Sequence, residues 1–246
     1  MARTVKLTLE YDGTAYHGWQ RQAHHATVQQ QVEDVLRMLT GEKVGLVGAG
    51  RTDAGVHALG QVASFRVEGS RLEAADFQRA LNGLLPADIV VLSAEEVPEG
   101  FHARFDARSK RYEYRLLNRE LPAAVGRNYY WHVRGRLSAA PMRRCLHLLR
   151  GKHDFSSFQS TGGDAKSPVR HMFECGLRRE GDVVTLWFEA NGFLRKMVRA
   201  LVATLVEVGL GRLSADDFAA ILAACDRSRA AATAPACGLF LVEVFY

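Results

Sequence analysis

The feature that most limits what this chain can fold into is its apolar periodicity, which alternates between two residues and 3.6 residues in the same order twice. In the first pass, Val5-Lys6-Leu7-Thr8-Leu9-Glu10-Tyr11 alternates apolar and polar residues as a half-buried strand does. Thr27-Val28-Gln29-Gln30 offers a capping box, and Val28, Val32, Val35, Leu36 and Leu39 follow at helical spacing as far as Gly41. Residues 44–47 and 61–67 read as two strands, 73–85 as a helix stopped by Pro86, and 89–92 as another strand. The order is β-α-β-β-α-β.

The second pass repeats it with insertions. Residues 111–117 predict a strand, and Ser138 caps a helix carrying Met142, Cys145, Leu146 and Leu149. Residues 169–177 and 183–190 predict a hairpin around Glu180-Gly181-Asp182. A long helix over 193–208, a short one capped by Ser214 and a last strand over 239–245 complete the pattern. A split β-α-β unit occurring twice is the ferredoxin-like arrangement. One mixed α+β sheet without true duplication accounts for the same runs, and either way the sheet is largely antiparallel. The expected fold is thus α+β, with helices packed on the sheet and a central cleft between an N-terminal half, 1–105, and a C-terminal half, 106–246. Residues 160–167 are the best candidate for a mobile loop.

At 246 residues, 48% of them hydrophobic and 24% charged, the composition is that of a soluble globular protein. No run approaches the roughly 18 apolar residues that span a bilayer, and residues 1–5 lead straight into a strand-like alternation. A cytoplasmic protein without a signal peptide is expected. Cys145, Cys175, Cys225 and Cys237 are scattered, without zinc-like spacing, and Cys145 and Cys225 fall among apolar residues of predicted helices as small hydrophobes. The net charge is +5 and the pI near 9.2, compatible with a polyanionic partner. Arg104, Arg108, Lys110, Arg111, Arg115 and Arg119 form one basic group, and Arg195, Lys196 and Arg199 a second.

Several chemistries have no motif here. The chain lacks a phosphate-binding Gly-x-x-x-x-Gly-Lys-Ser/Thr loop, a dinucleotide Gly-x-Gly-x-x-Gly turn, a His-Glu-x-x-His pair and a Gly-x-Ser-x-Gly elbow. The clearest chemical candidate is Asp53 in Gly50-Arg51-Thr52-Asp53-Ala54-Gly55-Val56-His57, where β-type sequence breaks. A carboxylate near a cation stays ionised, which suits a nucleophile or a base. The alternative is an Asp that only satisfies its own turn. Residues 11–20 add a loop rich in stacking surfaces, with Trp19 either facing a base or closing the core. Tyr112 and Tyr114 place phenols on one strand face, and Phe155 and Phe158 read as core. On the helix predicted from Phe193, Arg195 and Arg199 share a face beside an apolar stripe.

The octapeptide resembles the signature of TruA-type tRNA pseudouridine synthases. The likeness extends to Tyr16-His17-Gly18-Trp19-Gln20, Phe101-His102-Ala103-Arg104-Phe105, Lys110-Arg111-Tyr112-Glu113-Tyr114, Asp154-Phe155-Ser156-Ser157-Phe158, Met197-Val198-Arg199 and Ala234-Pro235-Ala236-Cys237-Gly238-Leu239, in the family's order and over nearly the whole chain. That resemblance implies an isomerase acting on uridines near positions 38 to 40 of the tRNA anticodon arm. It breaks the N1–C1′ bond, turns the uracil and rejoins it through C5, with no cofactor or metal. It implies Asp53 as the catalytic carboxylate and Arg199 as its partner. Tyr112 is implied at the flipped uracil, Arg51 in the gap that the nucleotide leaves, and Leu239 at the pocket wall. A homodimer is also implied, with one tRNA spanning both subunits and no membrane association. Two other classes stay open at this level: an RNA-binding protein without chemistry, and a metal-dependent hydrolase using Asp53 and nearby histidines.

Overall fold

A computed structural model of the chain describes residues 2–163 and 165–246. Asp164, inside the loop expected to be mobile, lies outside the described residues. The described residues group into two compact units, one running to Arg108 together with Phe240–Tyr246, the other Ser109–Leu239.

The first unit contains β1 (Arg3–Tyr11), α1 (Val28–Thr40), β2 (Leu46–Gly48), β3 (His57–Val67), α2 (Ala74–Leu84) and β4 (Ile89–Val97). Strand β1 lies between β4 and β3, and β2 pairs with β3, all antiparallel. The alternation read in residues 5–11 is structural: Val5, Leu7, Leu9 and Tyr11 are buried, while Lys6, Thr8 and Glu10 point to the other face. Phe65 of β3 meets Phe77 of α2 edge-on at 5.3 Å, a geometry worth about 0.5–1.5 kcal/mol beyond area burial. The free side of β4 is blocked by α2. Asn82 donates to the Val91 carbonyl at 2.9 Å and accepts the Val91 N–H at 2.7 Å, and Gln78 donates to the Leu92 carbonyl at 2.7 Å.

The capping box expected at Thr27 does not form. Thr27 occupies the N-cap position without a side-chain bond, and its buried Oγ1 has no hydrogen-bond partner among the described residues. The first helical amides are taken by a neighbouring loop instead: Val28 N–H donates to the Gly18 carbonyl at 3.2 Å and Gln29 N–H to the Trp19 carbonyl at 3.0 Å. Helix α1 is thereby fastened to residues 18–19 by backbone bonds, and Gly41, in left-handed geometry, ends it as expected. At α2 a capping box does form, between Glu73 and Asp76.

The second unit contains β5 (Ser109–Asn118), β6 (Trp131–Val133), α3 (Ala139–Leu149), β7 (Gly151–Asp154), β8 (Val169–Glu180), β9 (Val183–Ala190), α4 (Met197–Gly209) and α5 (Ala215–Ala224). Its strand order is β5-β9-β8-β7, antiparallel, with β6 parallel to β5. With the short strands β6 and β7 set aside, β5 lies next to β9 and β9 next to β8, as β1 lies next to β3 and β3 next to β2. The duplicated pattern is therefore a property of the pairing as well as of the sequence, and the fold is α+β and largely antiparallel. Strands β6 and β7 are too short to show a period and are absent from the sequence reading. The last strand, β10 (Leu239–Phe245), pairs parallel with β3 through Phe240 and Leu241.

Helix α4 differs from expectation in two ways. It begins at Met197 rather than Phe193, because Lys196 takes left-handed geometry (φ 58°) and breaks the run. Arg195 is therefore off the helix and shares no face with Arg199; its guanidinium donates to the Thr161 carbonyl at 2.8 Å. The helix is also buried nearly all round, with Arg199 and Glu207 its only residues not buried. Cys225 is corrected too: it is exposed just past the end of α5 in left-handed geometry, whereas Cys145 is buried as read. Phe155 and Phe158 are core. Among the described residues no helix is long and apolar enough to cross a membrane.

Candidate active site

The loop between β2 and β3 is built from the backbone outward. Ala54 has no left-handed φ, Gly55 has φ +75°, and Val56 N–H donates to the Asp53 carbonyl at 3.1 Å. These are the marks of a type II turn, whose third position requires a positive φ and so a glycine. The turn holds Asp53 half-buried at its first position, just after exposed Arg51 and buried Thr52.

Residues 11–19 clamp this turn. Trp19 N–H donates to the Thr52 carbonyl at 3.1 Å, and Gly55 N–H donates to the Tyr16 carbonyl at 3.2 Å. Gly18 (φ +92°) lies so close that a Cβ there would collide with the Thr52 carbonyl oxygen. Trp19 is buried and its indole packs where a Cβ on Gly48 would sit, so its ring closes the core rather than facing solvent. Arg51 Nε donates to Gln20 Oε1 at 2.9 Å.

Beneath the loop lies a buried polar network that the sequence reading missed. Tyr11 OH and Thr52 Oγ1 are 2.8 Å apart, and Gln61 Nε2 donates to the Gly50 carbonyl at 2.9 Å. Burial pushes the Tyr11 phenol well above its usual pKa, with hydrogen bonds from Thr52 and Gln61 acting the other way, so it stays a neutral hydroxyl. Gln61 Oε1 is buried without a partner among the described residues. The available signal was Gln61 itself, a polar residue at an inward position of an apolar strand. On the far side of the turn, buried His57 takes the Gly13 N–H on Nδ1 at 3.1 Å and stacks on Phe240 at 4.7 Å.

Tyr112, Arg199 and Leu239 belong to the second unit. Tyr112, on β5, is 7% exposed and meets Phe193 edge-on at 5.0 Å. Two residues on, Tyr114 donates its hydroxyl to the Pro235 carbonyl at 2.7 Å. Burial raises the Tyr114 phenol far above its usual range, with Cys237 adding and Arg199 opposing. Arg199, in the first turn of α4, holds Ala234 from both sides: its Nε donates to the Ala234 carbonyl at 2.8 Å, and its own carbonyl accepts the Ala234 N–H at 3.2 Å. Leu239 follows Gly238, where a Cβ would strike the Tyr114 ring, and is 6% exposed. Residues 234–239 are thus threaded between β5 and the start of α4.

A family described as tRNA pseudouridine synthase matches residues 8–106 and 146–246. The chain belongs to that family. Arg51, Asp53, Arg199 and Leu239 fall inside the matched residues, and Tyr112 falls in the interval between them. The chain is 48% identical over 244 residues to a tRNA pseudouridine synthase A of Acetivibrio thermocellus, covering 99% of this chain and all of the relative. It is 44% identical over 245 residues to one of Ruminiclostridium cellulolyticum and 43% identical over 244 to one of a Thermoanaerobacter species, again covering 99% of this chain and the whole of each relative. As a tRNA pseudouridine synthase this protein is an isomerase.

Proposed function

We propose that the protein converts uridines near positions 38 to 40 of the tRNA anticodon arm to pseudouridine, with Asp53 as the essential carboxylate. The observation that supports this most is the clamped turn: Gly18, Tyr16 and Trp19 fix the backbone on either side of Asp53, so its carboxylate is presented at one place with little left to order. An ionised carboxylate there can attack the ribose at C1′ or remove a ribose proton to pass through a glycal. In either route the N1–C1′ bond breaks, C5 bonds to C1′, the C5 proton goes to solvent and N1 gains one, so the reaction is balanced without cofactor or metal.

In this reading Arg199 is the guanidinium that pairs with the Asp53 carboxylate, and Tyr112 stacks on the uracil once it leaves the helix. Arg51, exposed at the rim of the turn, fills the space the nucleotide vacates, and Leu239 is an apolar wall of the uracil pocket. The protein works in the cytoplasm as a homodimer that holds one tRNA across both subunits, away from membranes. Phosphate contacts make its tRNA affinity salt-dependent. The test is position mapping: an unmodified tRNA transcript is treated with the protein and then with carbodiimide, and reverse transcription is read for stops. Stops confined to uridines 38 to 40 support the reading; stops elsewhere, with none in the anticodon arm, overturn it.

A further inference from the structure

Residues 98–106 form a closed turn in the first unit whose outer side carries an aromatic ring that the fold does not bury. Phe101 N–H donates to the Pro98 carbonyl at 2.9 Å and Asp106 N–H to the His102 carbonyl at 3.1 Å. Asp106 Oδ2 accepts the His102 N–H at 2.8 Å, and His102 Nδ1 accepts the N–H groups of Arg104 and Phe105, each at 3.2 Å. The inner side of the turn is anchored by Ala103. Its N–H donates to Ser64 Oγ at 3.3 Å, and its carbonyl accepts the Tyr246 hydroxyl at 2.7 Å. Phe105 points the other way and is 75% exposed. His102 stacks on its ring at 4.2 Å, and the Arg104 guanidinium lies 5.7 Å from the ring centroid.

The hydrogen bonds that hold the turn run through backbone groups, His102, Asp106, Ser64 and Tyr246, and none uses the Phe105 ring. An exposed aromatic plane, held rigid and flanked by a guanidinium, is what stacks an unpaired base while a cation meets the adjoining phosphate. Charge decides the occupant. Arg104 is exposed beside the ring and Arg108 is exposed four residues further along the chain, while Asp106 Oδ2 accepts the His102 amide. We propose that Phe105, with His102 and Arg104, is a stacking platform for an unpaired nucleotide of the bound tRNA, a subsite separate from the Asp53 turn. This rests on the reading of the chain as an enzyme that binds tRNA.

The test measures binding of an unmodified tRNA transcript to Phe105→Ala and Phe105→Tyr at one fixed salt concentration, with circular dichroism to check folding. Both changes are made in an Asp53→Asn background, so turnover does not enter. Phe105→Ala should weaken binding roughly five- to a hundredfold, and Phe105→Tyr should restore it, because both rings stack. The salt dependence should keep its slope, since no ion pair is removed. Unchanged tRNA affinity in folded Phe105→Ala overturns the platform; if sedimentation then shows altered self-association, the surface is a contact between copies. Failure of the wild-type protein to release label from uracil C5 would instead strike the reading of its function, a separate result.

Discussion

Tyr11 OH lies 2.8 Å from Thr52 Oγ1 in the buried floor of the turn that carries Asp53. One hydroxyl comes from a strand and the other from the residue before the proposed catalytic carboxylate, so the pair ties the height of the turn to the sheet. Tyr11→Phe leaves Thr52 Oγ1 buried with one partner fewer, a cost of about 1–3 kcal/mol in urea unfolding. Because the turn then loses its support, kcat should fall about ten- to a hundredfold while KM changes little. Thr52→Ser keeps the hydroxyl and should retain most of the wild-type kcat.

Gly18 and Gly41 give a paired test of the clamp. Both have positive φ, but a Cβ at Gly41 meets nothing within 4 Å, whereas at Gly18 it strikes the Thr52 carbonyl. Gly41→Ala should cost about 1–2 kcal/mol, the strain of left-handed geometry alone. Gly18→Ala should cost at least about 3 kcal/mol and abolish activity, because the turn must move. Equal unfolding midpoints for the two variants would remove the clamp.

Elements decided by near neighbours in the chain are legible in the sequence, and those decided by tertiary contacts are not. Strand β1, helix α2 and the β8–β9 hairpin follow from periodicity and turn residues, because each is decided by neighbours within a few positions. Thr27 was not legible as an uncapped start: the groups that replace its side chain are carbonyls at Gly18 and Trp19, brought there by tertiary folding. Nor was the start of α4, since a lysine in left-handed geometry at 196 has no propensity signature. The pairing of β10 with β3 is non-local, and alternation within residues 239–245 cannot name a partner strand. At the candidate site, Asp53 stood out by its glycines, whereas Tyr11, Thr52 and Gln61 act only through one another.

Alkaline pH should destabilise the protein through its buried phenols. Burial raises the pKa of Tyr11 and Tyr114 above the unfolded value of about 10. The folded state therefore holds these protons more tightly, and the stability they contribute is full below pH 10 and is lost as pH climbs beyond it. Absorbance at 295 nm should show phenols that ionise only together with the loss of near-ultraviolet dichroism. Their smooth titration in the folded protein would contradict the burial.

Arg199 is expected to act on turnover more than on binding. Arg199→Met removes the Nε bond to the Ala234 carbonyl, costing about 1 kcal/mol of stability, and it removes the proposed cation at the carboxylate. The expected outcome is a kcat lowered far more than tRNA affinity, with Arg199→Lys recovering only part because it lacks the planar fork. Equal losses in kcat and affinity would make Arg199 a tRNA-binding residue.

The most direct measurement uses anticodon-arm tRNA carrying tritium at uracil C5, from which isomerisation must release label to water. The wild-type protein in EDTA should release it, and Asp53→Asn, folded and still binding tRNA, should release none. Release by Asp53→Asn at the wild-type rate would take Asp53 out of the reaction.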